Sequence, residues 1–197
     1  MPYICVLDFE ATCWEGGENK NSMEIIEFPS ILYWLDKENN KCTYVSEFHQ
    51  YVKPTICPKL SKFCTQLTGI QQSTVDVAKP FVEVYEAHHR WIQEQTQGQP
   101  IAFLTCGDWD LSIQLFRELR NKGIKRHYGV YKHYIELKRE YEYFKKRKVG
   151  GMMAMLRDAG LTLQGRHHSG IDDCRNIARI LVQLVEQGHT NFQINRL

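Results

Sequence analysis

The sequence predicts an α/β protein, a mixed five-stranded sheet with helices on both faces. Three observations predict it. The first third holds three apolar or alternating β-rich runs, at 3–7, 23–35 and 42–52. Beyond residue 60, helical periodicity takes over, interrupted by two short strand-like runs at 100–104 and 131–137. Glycines stand where helices should stop: Gly69, Gly123, Gly160 and Gly188.

Taken in order, Tyr3 to Leu7 reads as a buried strand, and Cys13 to Ser22, with Gly16-Gly17 and Glu18-Asn19, as a polar loop. The run Met23–Leu35 contains Pro29, which removes a ladder hydrogen bond, so a bulge or an edge position is expected there. A turn at 36–41 leads to the alternating run Cys42–Val52, which closes an antiparallel meander. Leu60 to Gly69 reads as a short helix. Pro80 suits the first position of a helix carrying Phe81, Tyr85, His88 and Ile92 on one face. Leu111, Leu115 and Leu119 mark another helix, and a Met-rich helix follows Gly150-Gly151. Ser169-Gly170-Ile171-Asp172 fits a capping box opening a last helix whose apolar face is Ile177, Ile180, Leu181 and Leu184.

Length and composition suit one domain with a full core. The net charge of +2 hides an asymmetry. Residues 1–116 carry 8 Lys+Arg against 15 Asp+Glu, and residues 117–148 carry 12 against 4. That pattern fits a metal site beside a phosphate-binding surface. The 7 cysteines are odd in number and form no Cys-x-x-Cys pair, which points to free thiols in a reducing compartment. No signal peptide or membrane span is read, so an intracellular protein, cytoplasmic or nuclear, is expected.

The chemistry begins at the end of the first strand. Asp8 and Glu10 are two apart, a spacing that puts both carboxylates on one face of a strand. Two such groups repel each other and are costly to desolvate, and a hard divalent cation removes both penalties. Two more acids follow apolar elements: Asp110, after the strand at 100–104, and Asp173, in the first turn of the last helix. An acid in a first turn also suits the helix dipole. Asp108 is as good a cap as Asp110 is a ligand, and the doublets His167-His168 and Asp172-Asp173 leave the register open on spacing alone. Four carboxylates from three elements would suit two cations about 4 Å apart, with a nearby histidine taking a proton from water.

This constellation resembles the DEDDh 3′–5′ exonucleases, and within them the Eri-1-like enzymes that trim histone mRNA and small RNAs. The similarity is carried by Asp8–Cys13 (DFEATC), Glu24–Pro29 (EIIEFP), Phe63–Cys64 with Leu67–Ile70 (LTGI), Cys106–Leu111 (CGDWDL) and His168–Cys174 (HSGIDDC). The resemblance implies an RNase H-like fold and a single exonuclease domain over 1–197. It implies Asp8, Glu10, Asp110 and Asp173 as ligands of two divalent cations, Mg²⁺ or Mn²⁺, with His168 as general base, so the second residue of each doublet is chosen. It further implies that Ala11, Thr12, Phe63, Leu67 and Trp109 meet the terminal nucleotide. Phe63 and Trp109 would stack on the base, Leu67 and Ile70 would wall it, and the backbone of 10–12 would lie near the sugar. Lys145–Lys148 would track upstream phosphates, although a solvated helix face is the commoner meaning of such a run. The expected activity is hydrolysis of 3′-terminal nucleotides to nucleoside 5′-monophosphates, on RNA 3′ ends or single-stranded RNA before DNA. With little sequence beyond the nuclease motifs, specificity for a structured RNA would come from a protein partner. A DNA-preferring 3′–5′ exonuclease with the same site is the alternative among enzymes, and a non-catalytic nucleic-acid adaptor the one from another class.

Overall fold

The computed structural model describes residues 2–17, 19–125 and 128–197; Met1, Glu18, His127 and, from the basic stretch, Arg126 lie outside the described residues. The strands are β1 (Tyr3–Leu7), β2 (Glu10–Ala11), β3 (Ile25–Asp36), β4 (Lys41–Lys53), β5 (Lys79–Pro80), β6 (Ile101–Thr105), β7 (His133–Glu136) and β8 (Asn195–Arg196). The helices are α1 (Lys62–Thr68), α2 (Gln72–Asp76), α3 (Phe81–Thr96), α4 (Phe116–Asn121), α5 (Leu137–Lys145), α6 (Met152–Asp158) and α7 (Gly170–Glu186). A π-helical turn, Trp109–Leu115, runs directly into α4. Among the described residues no helix is long and apolar enough to cross a membrane.

The sheet order is β5-β4-β3-β1-β6-β7-β8, with β2 pairing β3 off this path. β1 is antiparallel to β3 and parallel to β6, so the sheet is mixed at its centre. The anticipated strands correspond to β1, β3, β4, β6 and β7. The other three, β2, β5 and β8, have two residues each and exist through their partners alone, so no periodicity marks them.

Alternation along the central strands divides the core between two faces. Ile4 and Val6 of β1, with Ala102 and Leu104 of β6, pack under α5, α6 and α7. Cys5 and Leu7, with Ile101 and Phe103, pack under α3 and the Trp109–Asn121 segment. Helices therefore cover both faces, and the parallel strands β1, β6 and β7 end at one edge.

Pro29 is not at an edge. β3 lies inside the sheet, paired on both sides. Its pairing with the first strands stops at Leu7–Ser30 and restarts at Glu10–Glu27, so Pro29 stands opposite Asp8 where the ladder is interrupted. The missing N–H thus falls in a gap between β1 and β2, where no ladder bond is needed.

The start of α7 also differs in detail from its expected form. Ser169 is the N-cap residue, but its side chain makes no capping bond. Asp172 turns outward to accept the Arg166 N–H at 2.9 Å and to pair with Arg175. The buried carboxylate of Glu27, on β3, supplies the cap, accepting the N–H groups of Gly170 at 3.0 Å and Ile171 at 3.1 Å. Glycine is needed there, because a Cβ on Gly170 would stand 2.8 Å from the Asp8 carbonyl oxygen. Replacing Glu27 by alanine should leave both N–H groups without their acceptor and cost about 2–4 kcal/mol, read as a lower urea midpoint at unchanged slope.

Candidate functional site

The site lies where the parallel strands end. Asp8 follows β1, Glu10 opens β2, and Asp173 lies in the first turn of α7. One carboxylate oxygen from each of these three comes within 4.8 Å of the others. Asp110 lies outside that group of three but close enough to repel Asp8. Its position on the π-helical turn buries it, while its Oδ1 accepts the Phe9 N–H at 2.8 Å. That bond ties the second acidic motif to the first across 101 residues of sequence. A π turn is wider than an α turn and is frequent at functional sites, where it re-aims a side chain. Here it buries Asp110 and Leu111 and leaves Trp109 half-buried.

Asp173 accepts the backbone N–H of His168 at 2.8 Å through Oδ2. Its Oδ1 is buried without a hydrogen-bond partner among the described residues. An orphaned carboxylate oxygen facing other carboxylates is an uncompensated charge, and a cation satisfies it. The donors are hard carboxylate oxygens, the set that Mg²⁺ or Mn²⁺ prefers over softer metals. The residues present therefore fit a divalent cation.

Electrostatics lead to the same conclusion. Burial, then repulsion from Asp110, Glu10 and Asp173, holds the Asp8 carboxyl well above the ordinary carboxylate range. Burial and the charge of Glu27 push Glu10 up to about 9. Burial raises Asp110 to about 7 against the opposing Phe9 N–H, and Asp173 to about 6 against the opposing His168 N–H. The folded chain thus holds protons that the unfolded chain releases near pH 4. Stability of the metal-free protein should fall as pH rises from about 4 through these values. A divalent cation displaces the same protons, so its stabilising effect should grow over that window. Melting temperatures in EDTA and in excess Mn²⁺, taken from about pH 5 to pH 9, should diverge with rising pH. Parallel curves would mean that the cation does not bind at these carboxylates.

His168 adopts a left-handed backbone, φ 66°. Histidine tolerates this region better than most residues, and here it places the His168 N–H on Asp173. Its half-buried ring stacks on the exposed ring of His167, centroids 3.9 Å apart. Both rings bring a nitrogen within 4.8 Å of an Asp173 oxygen. Burial, then His167 and Arg166, lowers the His168 pKa and favours the neutral imidazole. Asp108 is exposed and outside this group.

The candidate nucleotide contacts fall into two sets. Phe63 on α1 is 36% exposed, and Leu67 is half-buried one turn later, so both present apolar surface; Ile70 is buried. Ala11 and Thr12 are buried, and Thr12 is held to Glu24 twice, its hydroxyl accepting the Glu24 N–H at 2.9 Å and its N–H donating to the Glu24 carbonyl at 2.8 Å. Trp109 helps to line a cavity of about 450 Å³ with Trp14, Lys20, Met23, Ile113 and Arg117. Sequence reasoning assigned Trp14 to a polar loop; a tryptophan among polar and glycine residues was the signal that it lines something.

Part of the basic stretch is paired within the fold. Lys122 is held between Glu24 and Glu118, Arg139 pairs with Glu136, Arg147 with Asp158 and Lys148 with Glu142. Lys145 reaches Gln187, just beyond the far end of α7 and about 21 Å of helix away from Asp173.

Comparison with known proteins adds a family to this geometry. A family model described as exonuclease matches residues 5–181. The chain is 36% identical over 203 residues to ERI1 exoribonuclease 2 of Xenopus laevis, covering 94% of this chain and 29% of that protein. It is 38% identical over 193 residues to 3′-5′ exoribonuclease 1 of Mus musculus, covering 94% of this chain and 54% of the relative. The chain therefore spans about a third to a half of the length of these two relatives. Among solved structures, the nuclease domain of 3′hExo, a DEDDh family member bound to rAMP, superposes with a TM-score of 0.90 at 35% identity, covering 100% of this chain and 98% of that one. The fold is the RNase H-like exonuclease fold that the sequence motifs resemble.

Proposed function

Because this chain belongs to the exonuclease family, we propose that it is a single-domain, metal-dependent 3′–5′ exonuclease that acts on RNA and releases nucleoside 5′-monophosphates. The observation that carries this reading is the grouping of Asp8, Glu10 and Asp173, with Asp110 held beside it by the Phe9 N–H, an unpartnered oxygen on Asp173 and His168 next to it. The ribonucleotide bound to the 3′hExo nuclease domain, and the name of the mouse relative, favour RNA and the 3′–5′ direction.

The four carboxylates would hold two divalent cations, Mg²⁺ or Mn²⁺. Bound there, such cations supply positive charge against the scissile phosphate and the leaving 3′ oxygen and make water more acidic. The protein's own work is placement and proton handling. His168, neutral in its half-buried seat, accepts the proton of the attacking water at a ring nitrogen. The Phe9 N–H fixes Asp110, and the His168 N–H fixes one oxygen of Asp173, so the ligands are positioned before substrate arrives. Phe63, Leu67 and Trp109 offer apolar surface to the terminal base without reading its identity, as general trimming requires. The backbone at Ala11 and Thr12 lies along the sugar, where a 2′-hydroxyl distinguishes RNA from DNA.

The test is degradation of 5′-labelled single-stranded RNA in Mg²⁺ or Mn²⁺, in competition with DNA of the same sequence. A ladder of shortened 5′-labelled products, suppressed by EDTA and little affected by DNA competitor, is the expected result. Products shortened from the 5′ end would overturn the polarity, preferential loss of DNA the substrate class, and intact substrate the enzymatic reading.

A further inference from the structure

We propose that Cys13 and Cys64 are a redox pair, and that a reversible disulfide between them switches off the neighbouring site. The two thiols come from separate elements that flank it. Cys13 follows Glu10-Ala11-Thr12, and Cys64 lies on α1 between Phe63 and Leu67. Ser61 joins the two segments: its hydroxyl donates to the Cys13 carbonyl at 2.6 Å and accepts the Cys64 N–H at 2.9 Å. The Cys64 sulfur is 3.7 Å from the Ala11 carbonyl oxygen, so its side chain points at the segment that carries Cys13. Cys13 packs against the small apolar cluster that contains Cys64. All 7 cysteines are free, so the pair is reduced.

The surroundings select this pair. The interaction between the two thiols brings that of Cys64 down to about 7 against the opposing effect of burial and holds that of Cys13 above its ordinary range. Burial instead raises the thiols of Cys5, Cys42, Cys106 and Cys174. Thiolate character favours Cys64 as the sulfur that attacks an oxidised Cys13. Cys64 is fully buried while Cys13 is half-buried, so an oxidant reaches the pair through Cys13.

With a peroxide as oxidant, the half-buried Cys13 sulfur attacks a peroxide oxygen and gives up its own proton. The O–O bond breaks, and the departing hydroxide leaves as water after taking up a proton, giving a sulfenic acid on Cys13. The Cys64 sulfur then attacks the Cys13 sulfur. Its S–H proton and the sulfenic hydroxyl leave as a second water, and the S–S bond forms. Two thiols lose two hydrogens and the peroxide is reduced to two waters. A dithiol reverses the step by exchange.

An S–S bond is about 2.05 Å long, shorter than the contact distance of two thiols by more than about 1 Å. Closing it draws α1 and the segment after Glu10 together, and a misplacement of about 1 Å at a catalytic arrangement costs on the order of 10²-fold in rate.

The experiment treats the whole chain with hydrogen peroxide, maps the disulfides by peptide mass spectrometry, and measures RNA degradation before treatment, after it, and after dithiothreitol. The expected result is a Cys13–Cys64 linked peptide, a mass loss of two hydrogens, a fall in activity of about tenfold to a hundredfold, and recovery with dithiothreitol. Cys13→Ser, which spares the buried Cys64, should keep its own starting activity after peroxide. Unlinked Cys13, a different partner for it, or the same loss in Cys13→Ser would overturn the proposal. The switch rests on the exonuclease reading, but the disulfide map does not: a reduced protein without nuclease activity would fail that reading, and the peptide map would still show whether the two sulfurs join.

Discussion

Replacing Asp8 by asparagine should abolish divalent-cation stabilisation, lower nuclease turnover about 10³-fold or more, and raise the melting temperature of the metal-free protein. The loss of turnover, roughly 4 kcal/mol at about 1.4 kcal/mol per decade, follows from removing the carboxylate at the centre of the acidic group. The gain in stability has the same cause. Asp8 is opposed by Asp110, Glu10, Asp173 and Glu27 together, so its ionised form is the one that the fold tolerates least. Asparagine keeps the shape and removes the charge. A relief of about 1 kcal/mol would raise melting by roughly 2–4 °C in a chain of this size. Scanning fluorimetry with EDTA and with Mn²⁺ reads both effects on one plate. Wild-type stabilisation by Mn²⁺ in the Asp8→Asn protein would remove Asp8 from the ligand set. A lower metal-free melting temperature would mean that Asp8 is held by contacts that outweigh its repulsion.

That opposition between stability and chemistry is why the acidic motif could be read from sequence at all. A pair of carboxylates directly after a run as apolar as Tyr3–Leu7 violates the pattern of a buried strand, and the violation needs a cause. The helices and main strands were legible for the complementary reason. The unbroken apolar runs of β1 and β6, glycine at the end of α1 and the apolar stripe of α7 each record a local requirement of the backbone.

What the sequence hid depends on partners far along the chain. Glu27 looks like one more charged residue within a strand, yet it caps a helix more than 140 positions away and also meets His49 at 2.8 Å. Glu24, fully buried, accepts the N–H groups of Thr55, Ile56 and Cys57 and so shapes the loop after β4. Lys122 counted toward a basic surface, but it turns inward to Glu24 and Glu118. A charge in a sequence announces only that it must be solvated or paired; which of these occurs is decided by tertiary neighbours. The π-helical turn at Asp110 is concealed in the same way, because leucines at 111, 115 and 119 fit an ordinary helix, and only the bond from Phe9 shows why the first turn is widened.

Replacing His168 by asparagine should lower kcat by about 10²–10⁴-fold while leaving the stabilisation by Mn²⁺ close to wild type. The choice of substitution follows from the backbone. At φ 66° alanine would add strain to the loss of the ring, whereas asparagine accepts the left-handed region. The backbone N–H that holds Asp173 is kept, so the acidic group remains positioned. What disappears is the imidazole, whose neutral form is favoured by burial and by His167 and Arg166. A proton acceptor acts on the chemical step, so the loss belongs in kcat, with KM for RNA changing little. Equal losses of turnover and of Mn²⁺ stabilisation would make His168 a support for Asp173 instead of a base. Retained turnover would pass the role to His167, whose ring lies against it and reaches the same carboxylate. The double variant separates those cases: if His167 has taken over, activity falls only when both rings are gone.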